Sequence, residues 1–270
     1  MPSTYAHYRF GATVLDMLSP ETRRIVARHP DLYYMGLHGP DLLFYYKPLG
    51  TNHVNATGYG LHDHTGLEFF SGAAQRLCQR PDGEAYLSYT YGFLCHFVLD
   101  SVCHGYIAQA MTETGISHTE LESELDRSLL VRDGFDPVTK HLTDHIHPSP
   151  QSAEIICRFF PGIRPQEILK AQRAYIFYNN LLVAPSGLHR GLIFGVLRLS
   201  GHYEDMHGLV INRQPNPRCR ATTAHLYRLY EQAMPTAAAL IDGYRDTISG
   251  AAPWDNQYRY TFSGTVKQEG

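Results

Sequence analysis

Tyr91-Gly92-Phe93-Leu94-Cys95-His96-Phe97-Val98-Leu99-Asp100-Ser101-Val102-Cys103-His104 is the stretch that decides the fold. With Tyr86, Leu87 and Tyr89 ahead of it, it is apolar on nearly every side. Such a helix is stable only when protein surrounds it, so the pattern predicts a long central core helix over residues 84–113. His96, Asp100 and His104 interrupt it at four-residue steps. Each step turns a helix by about 400° and rises about 6 Å, so the three side chains share one face. A carboxylate between two imidazoles in an apolar helix is costly unless its charge is neutralised. A cation would neutralise it. So would an arginine partner for Asp100, with both histidines bonded to backbone, and this helix alone does not choose between them.

Outward from this helix the chain reads as helical. Apolar spacing predicts helices over 4–18, 20–28, 65–80, 118–130, 151–160, 165–183 and 221–249. Residues 36–64 and 133–150, rich in Gly, Pro, His, Asn and Asp, read as polar loops, and 251–270 as an irregular, partly frayed tail. Strand patterning is weak everywhere. The expected fold is all-α, multi-helical around the buried central helix. One domain over 1–270 is expected, with helices from 150–250 completing it.

Composition narrows the function. The 270 residues carry a net charge of −3 and no Lys/Arg-rich run, which excludes a general nucleic-acid coat. No apolar run reaches the roughly 18–20 residues of a membrane span. The N-terminus shows no basic-then-apolar signal pattern, so a cytoplasmic location is expected. Sixteen His stand beside five Cys without a CxxC pair, so a metal here would take imidazole and carboxylate ligands.

Such ligands recur in order along the chain. His7 sits on the first helix, Asp41 follows Gly39-Pro40, and His62 and His64 flank Asp63. The triplet His96, Asp100, His104 comes next, and then His118 and Glu122, four apart on the following helix. Singly, each is more often a packed or capped residue than a ligand. The complete order is hard to reach by chance. His62 and His64 are two apart, so an extended backbone would point them to opposite faces and leave His62 as the favoured ligand.

That order, over residues 3–125, resembles the zinc-dependent phospholipase C family and, more distantly, the zinc-dependent single-strand-specific nucleases. The resemblance implies a helical fold holding two or three Zn²⁺ ions that hydrolyse a phosphodiester, with Asp100 bridging. It implies His7, Asp41, His62 or His64, His96, Asp100, His104, His118 and Glu122 as metal ligands, and Asp41 also as the catalytic base. The ion held by His104, His118 and Glu122 would stabilise the leaving alkoxide. The family's processed N-terminal Trp is replaced here by Met1-Pro2, which leaves two readings: an ordinary frayed end, or a Pro2 amine, freed by loss of Met1, that completes a site with His7 and Asp100.

The expected partner is a small-molecule or lipid phosphodiester, with transient contact to a membrane surface and no stable nucleic-acid complex. Tyr33, Tyr34, Phe44, Tyr45 and Tyr46 are expected to be mostly core, and neither Arg190 nor Arg198 is counted as a phosphate clamp. Two other readings compete. An HD-type metallophosphohydrolase would use His62-Asp63 with His38 or His53 and Asp100, but leaves His104, His118 and Glu122 without a role. A non-catalytic structural metal site needs only about four ligands, fewer than this order supplies.

Overall fold

The computed structural model describes residues 4–77 and 83–267. Prolines and capping side chains set where its helices begin. α1 (Thr4–Met17) ends ahead of Pro20, which opens α2 (Pro20–Arg28) behind a Ser19 cap, and Pro30 opens α3 (Pro30–Gly36). Residues 36–64, read from sequence as one loop, are more ordered than that. A 3₁₀ turn covers Gly39–Tyr45, and α4 (His53–Leu61) begins at a reciprocal cap in which the Asn52 side chain accepts from Val54 and Asn55 while Asn55 returns a bond to the Asn52 amide. The composition that signals a loop was here supplying caps and tight turns.

α5 (Gly66–Leu77) leads to α6 (Gly83–Thr114), then α7 (His118–Arg132) behind a Ser117 cap. After the irregular 133–149 come α8 (Pro150–Ile156), α9 (Pro165–Leu182), α10 (Gly187–Leu199), the single turn α11 (Tyr203–Met206) and α12 (Arg220–Ser249). α10 was not anticipated. Gly187, Gly191 and Gly195 depress its intrinsic propensity, and its start depends on the Ser186 hydroxyl accepting from His189. The fold is all-α. Among the described residues the β-geometry is confined to two isolated bridges, Thr65 with Thr261 and Tyr260 with Val266.

α6 is the axis of the core, buried without interruption from Ser88 to Ser101 and packed chiefly by α3 and α12, with α1 and α2 alongside. The crossing with α3 is a backbone contact. A Cβ on Gly92 would lie 2.0 Å from the Tyr33 carbonyl oxygen, and one on Gly36 2.3 Å from that of Tyr89. This closeness delivers the turn after α3 directly onto His96. The tail departs from its reading as frayed. Tyr258 and Phe262 are buried against Phe97, because two aromatic rings this large bury more apolar surface than the disorder of the segment is worth. Tyr33, Phe44, Tyr45 and Tyr46 are buried, as expected for core residues, and Tyr34 partly so.

Candidate metal centre

Five elements converge on one volume beside α6. His7 comes from α1, Asp41 from the 3₁₀ turn, His62 from the end of α4, His96, Asp100 and His104 from α6, and His118 and Glu122 from the first turns of α7. Asp100 is the hub. Its Oδ1 is 3.2 Å from His7 Nε2 and 3.7 Å from His104 Nε2; its Oδ2 is 3.0 Å from His96 Nε2 and 3.7 Å from His62 Nε2. Asp41 Oδ1 lies 3.3 Å from His62 Nε2. Glu122 Oε1 lies 3.3 Å from His104 Nε2 and 3.2 Å from His118 Nε2.

These side chains make three groups of convergent donor atoms: His7, His96 and Asp100; Asp41, His62 and His96; His104, His118 and Glu122. Eight of the nine residues singled out from sequence thus come together. His64 does not. It is exposed, with Nδ1 3.6 Å from Glu68 on the first turn of α5. Asp63 is exposed as well, and His38 faces His145 instead, so the HD constellation is not assembled. Pro2 lies outside the described residues. Arg190 is spent on the carbonyls of Ala184, Val210 and Ile211, and Arg198 lies over the Tyr203 ring.

The backbone fixes the tautomers. Nδ1 of His96 faces the Leu37 carbonyl at 3.2 Å, Nδ1 of His62 the Gly58 carbonyl at 3.0 Å, and Nδ1 of His104 the Phe262 carbonyl at 3.0 Å. A carbonyl only accepts, so each Nδ1 carries a proton and Nε2, turned toward the carboxylates, is the ring atom that is left to ligate. Gly39 makes room for this. Its φ of 43° lies in the left-handed region, and a Cβ there would sit 2.4 Å from His96 Cδ2.

Electrostatically the site asks for positive charge. Burial alone would raise Asp100, but the imidazoles of His104, His96 and His7 hold it well below the ordinary carboxylate range. Glu122 is likewise held down against burial by His118 and His104. Burial lowers His104, but Asp100 and Glu122 raise it to about 9. Burial and the neighbouring His96 lower His7. Asp41 Oδ1, His96 Nε2 and Asp100 Oδ2 are buried without a hydrogen bond, although each lies within 3.3 Å of another donor atom of the cluster. Lone pairs aimed at shared points without aligned hydrogens are a costly arrangement that a divalent cation satisfies. An imidazole and carboxylate set without thiolate fits zinc. Cys95 and Cys103, buried on the same helix, contribute nothing to it, since burial raises the first to about 12 and the second further.

Sequence reasoning missed the carbonyls of Leu37, Gly58 and Phe262, because a backbone acceptor carries no residue-type signal. It also missed Asp126, whose Oδ2 and Oδ1 accept from the amides of Tyr5 and Ala6 at 3.0 and 2.7 Å and so seat the start of α1 on α7.

A family model described as zinc-dependent phospholipase C matches residues 6–168, which takes in all nine side-chain ligand candidates and extends well past the 3–125 of the sequence resemblance. No curated protein and no solved structure matches the chain.

Proposed function

The chain belongs to the zinc-dependent phospholipase C family, and from that premise we propose that it is a zinc-dependent phosphodiester hydrolase acting on a lipid phosphodiester. The observation that carries the reading is Asp100, whose two oxygens face four imidazoles from three helix-bearing segments within 3.7 Å. A carboxylate so placed serves two cation positions at once. We assign Asp41, His62, His96 and Asp100 to one ion, His7 and Asp100 to a neighbouring one, and His104, His118 and Glu122 to a third, so that His96 spends its single Nε2 lone pair once and Asp100 is the shared ligand. When bound, zinc supplies Lewis acidity toward phosphoryl oxygens and lowers the pKa of water toward neutrality.

The chain's own residues do the rest. Asp41 is held below the ordinary carboxylate range by His62 and His96 against the opposing effect of burial, so it is ionised at neutral pH and can take a proton from the attacking water through Oδ2. His96, fully buried, stacks on His7 with centroids 4.3 Å apart, which fixes both rings before substrate arrives. His62 and His118 are the more exposed members and mark the open side of the site. Beside that opening the Phe44 ring stacks on Tyr59 and lies 5.4 Å from His62, joining an apolar groove to the cluster. That apolar approach favours a lipid diester over an oligonucleotide, whose phosphates call for a basic track.

The zinc-loaded full chain, given a choline phospholipid and a single-stranded oligonucleotide side by side, is expected to release the phosphorylated head group and leave the oligonucleotide intact. Asp41→Asn should lower that turnover by about 10²-fold. A zinc-loaded protein inert toward both, or faster on the oligonucleotide, overturns the reading.

A further inference from the structure

Between Glu167 and Glu204 the chain has no acidic residue, whereas Lys170, Arg173, Arg190 and Arg198 supply four cations, in a protein of net charge −3. This segment holds α9 and α10, and α10 has no buried residue. Its Leu188, Leu192, Val196 and Leu199 are 87, 68, 58 and 92% exposed. Their spacing of four, four and three puts them on one stripe of the helix. An apolar stripe this open marks an interaction surface. The adjoining residues Ile193 and Leu197 turn into a groove of about 340 Å³ shared with Phe44, Tyr59 and Leu181, and Leu49, 96% exposed, stands on its other rim. The stripe is therefore the outer lip of a groove whose Phe44 wall also borders His62 of the metal cluster.

We propose that α10 lies flat in the interface of an anionic phospholipid bilayer and holds the mouth of this groove against it, an inference that rests on the lipid reading of the site. An apolar stripe on a helix that carries Arg198 and no acid, in a segment where Lys170 and Arg173 are further exposed cations and Arg190 is engaged by backbone carbonyls, is the composition that binds at the head-group boundary of an anionic leaflet. Among the described residues no single helix is long and apolar enough to cross a membrane, and of the bent pair α9 and α10, which together have the length, α9 is held in the protein by buried Ile168, Ala171, Tyr175 and Asn179, which leaves α10 for the surface. A second copy on the same stripe would set two segments of like charge face to face and cap the groove.

Flotation of the zinc-loaded full chain with vesicles tests this. Binding is expected with vesicles one third phosphatidylglycerol, and weaker binding with phosphatidylcholine alone. Combined Leu188→Ser and Leu199→Ser should weaken partitioning by about tenfold or more with an unchanged melting temperature. Val131→Ser, an exposed apolar residue on α7 outside the groove, should change nothing. Failure of the wild type to float, equal flotation of the double variant, or a lipid-free dimer that the double variant dissolves would each overturn the proposal. Hydrolysis of soluble p-nitrophenyl phosphorylcholine separates it from the catalytic reading: turnover without flotation overturns the docking alone, and flotation without turnover supports the docking while removing the catalysis.

Discussion

Asp100 faces four imidazoles with two oxygens, and no other side chain of the cluster has that reach. Asp100→Asn replaces one oxygen with an amide nitrogen that cannot ligate, at a site 3% exposed where water cannot stand in. The variant is expected to lose more than one zinc per chain by elemental analysis, and activity by about 10²-fold or more, exceeding what loss of an outer hydrogen bond to a ligand costs. His118→Ala, at the open rim of a single donor group, should lose at most one ion. Full zinc content in Asp100→Asn would remove the bridging assignment. The period-four triplet carrying Asp100 was legible because helical geometry alone aligns it. The contrast between His62 and His64 was legible for a different reason than the sequence suggested. The segment is not extended; His62 has φ −65° and ψ −20° at the end of α4, and a two-residue helical step of about 200° still sends the rings opposite ways.

At the scale of elements, the cluster depends on how α1 is seated, since His7 is its only member from that helix. Asp126, fully buried on α7, accepts the two backbone amides at the start of α1, and Asp133, about two turns later at the end of α7, takes Arg9 and the Tyr5 hydroxyl. Burial pushes the Asp126 carboxyl well above its ordinary range, so it is held there by geometry at an electrostatic cost. Asp126→Ala leaves two buried amides without acceptors, expected to cost about 2–4 kcal/mol in chemical denaturation. It should also loosen the ion that uses His7, seen as weakened binding of one zinc while the His104, His118 and Glu122 group keeps its own. Asp126→Asn, which retains an acceptor oxygen, should recover part of both losses. A variant destabilised with all zinc affinities intact would show that this anchor serves α1 and not the site. Asp126 was invisible in the sequence because its partners are backbone amides far along the chain. The neighbouring Ser117 cap, which starts α7 so that His118 and Glu122 share a face, was local and therefore readable.

Across the whole molecule, one hydrogen-bonded chain joins segments remote in sequence. The Thr4 hydroxyl donates to Asn179 Oδ1, so it accepts from the Tyr175 hydroxyl, which in turn accepts from His38 Nδ1. The neutral His38 ring then has a bare Nε2, and His145 Nε2, 2.7 Å away, donates to it. α1, the turn before Asp41, the polar loop over 133–149 and α9 are thereby tied together just behind the metal cluster. Nothing in the local pattern around His38 or His145 announced this, because each partner lies more than a hundred residues from the next. The chain has a pH consequence. Burial lowers both rings, His145 to about 3 and His38 well below its ordinary value, the latter with His145 adding to the effect. Folded pKa values below the unfolded value of about 6.5 mean that the unfolded chain takes up protons the folded one refuses, so this stability is present above about pH 6.5 and is lost as pH falls toward the folded values. For His145 the loss amounts to about 2 kcal/mol between pH 8 and pH 5. His145→Gln keeps an amide donor for His38 and removes one titrating ring. Its folding free energy should fall by about 2 kcal/mol less than that of the wild type over the same interval, the cluster histidines being common to both proteins. Parallel losses in the two proteins would show that His145 charges in the folded state and that the chain is not closed as described.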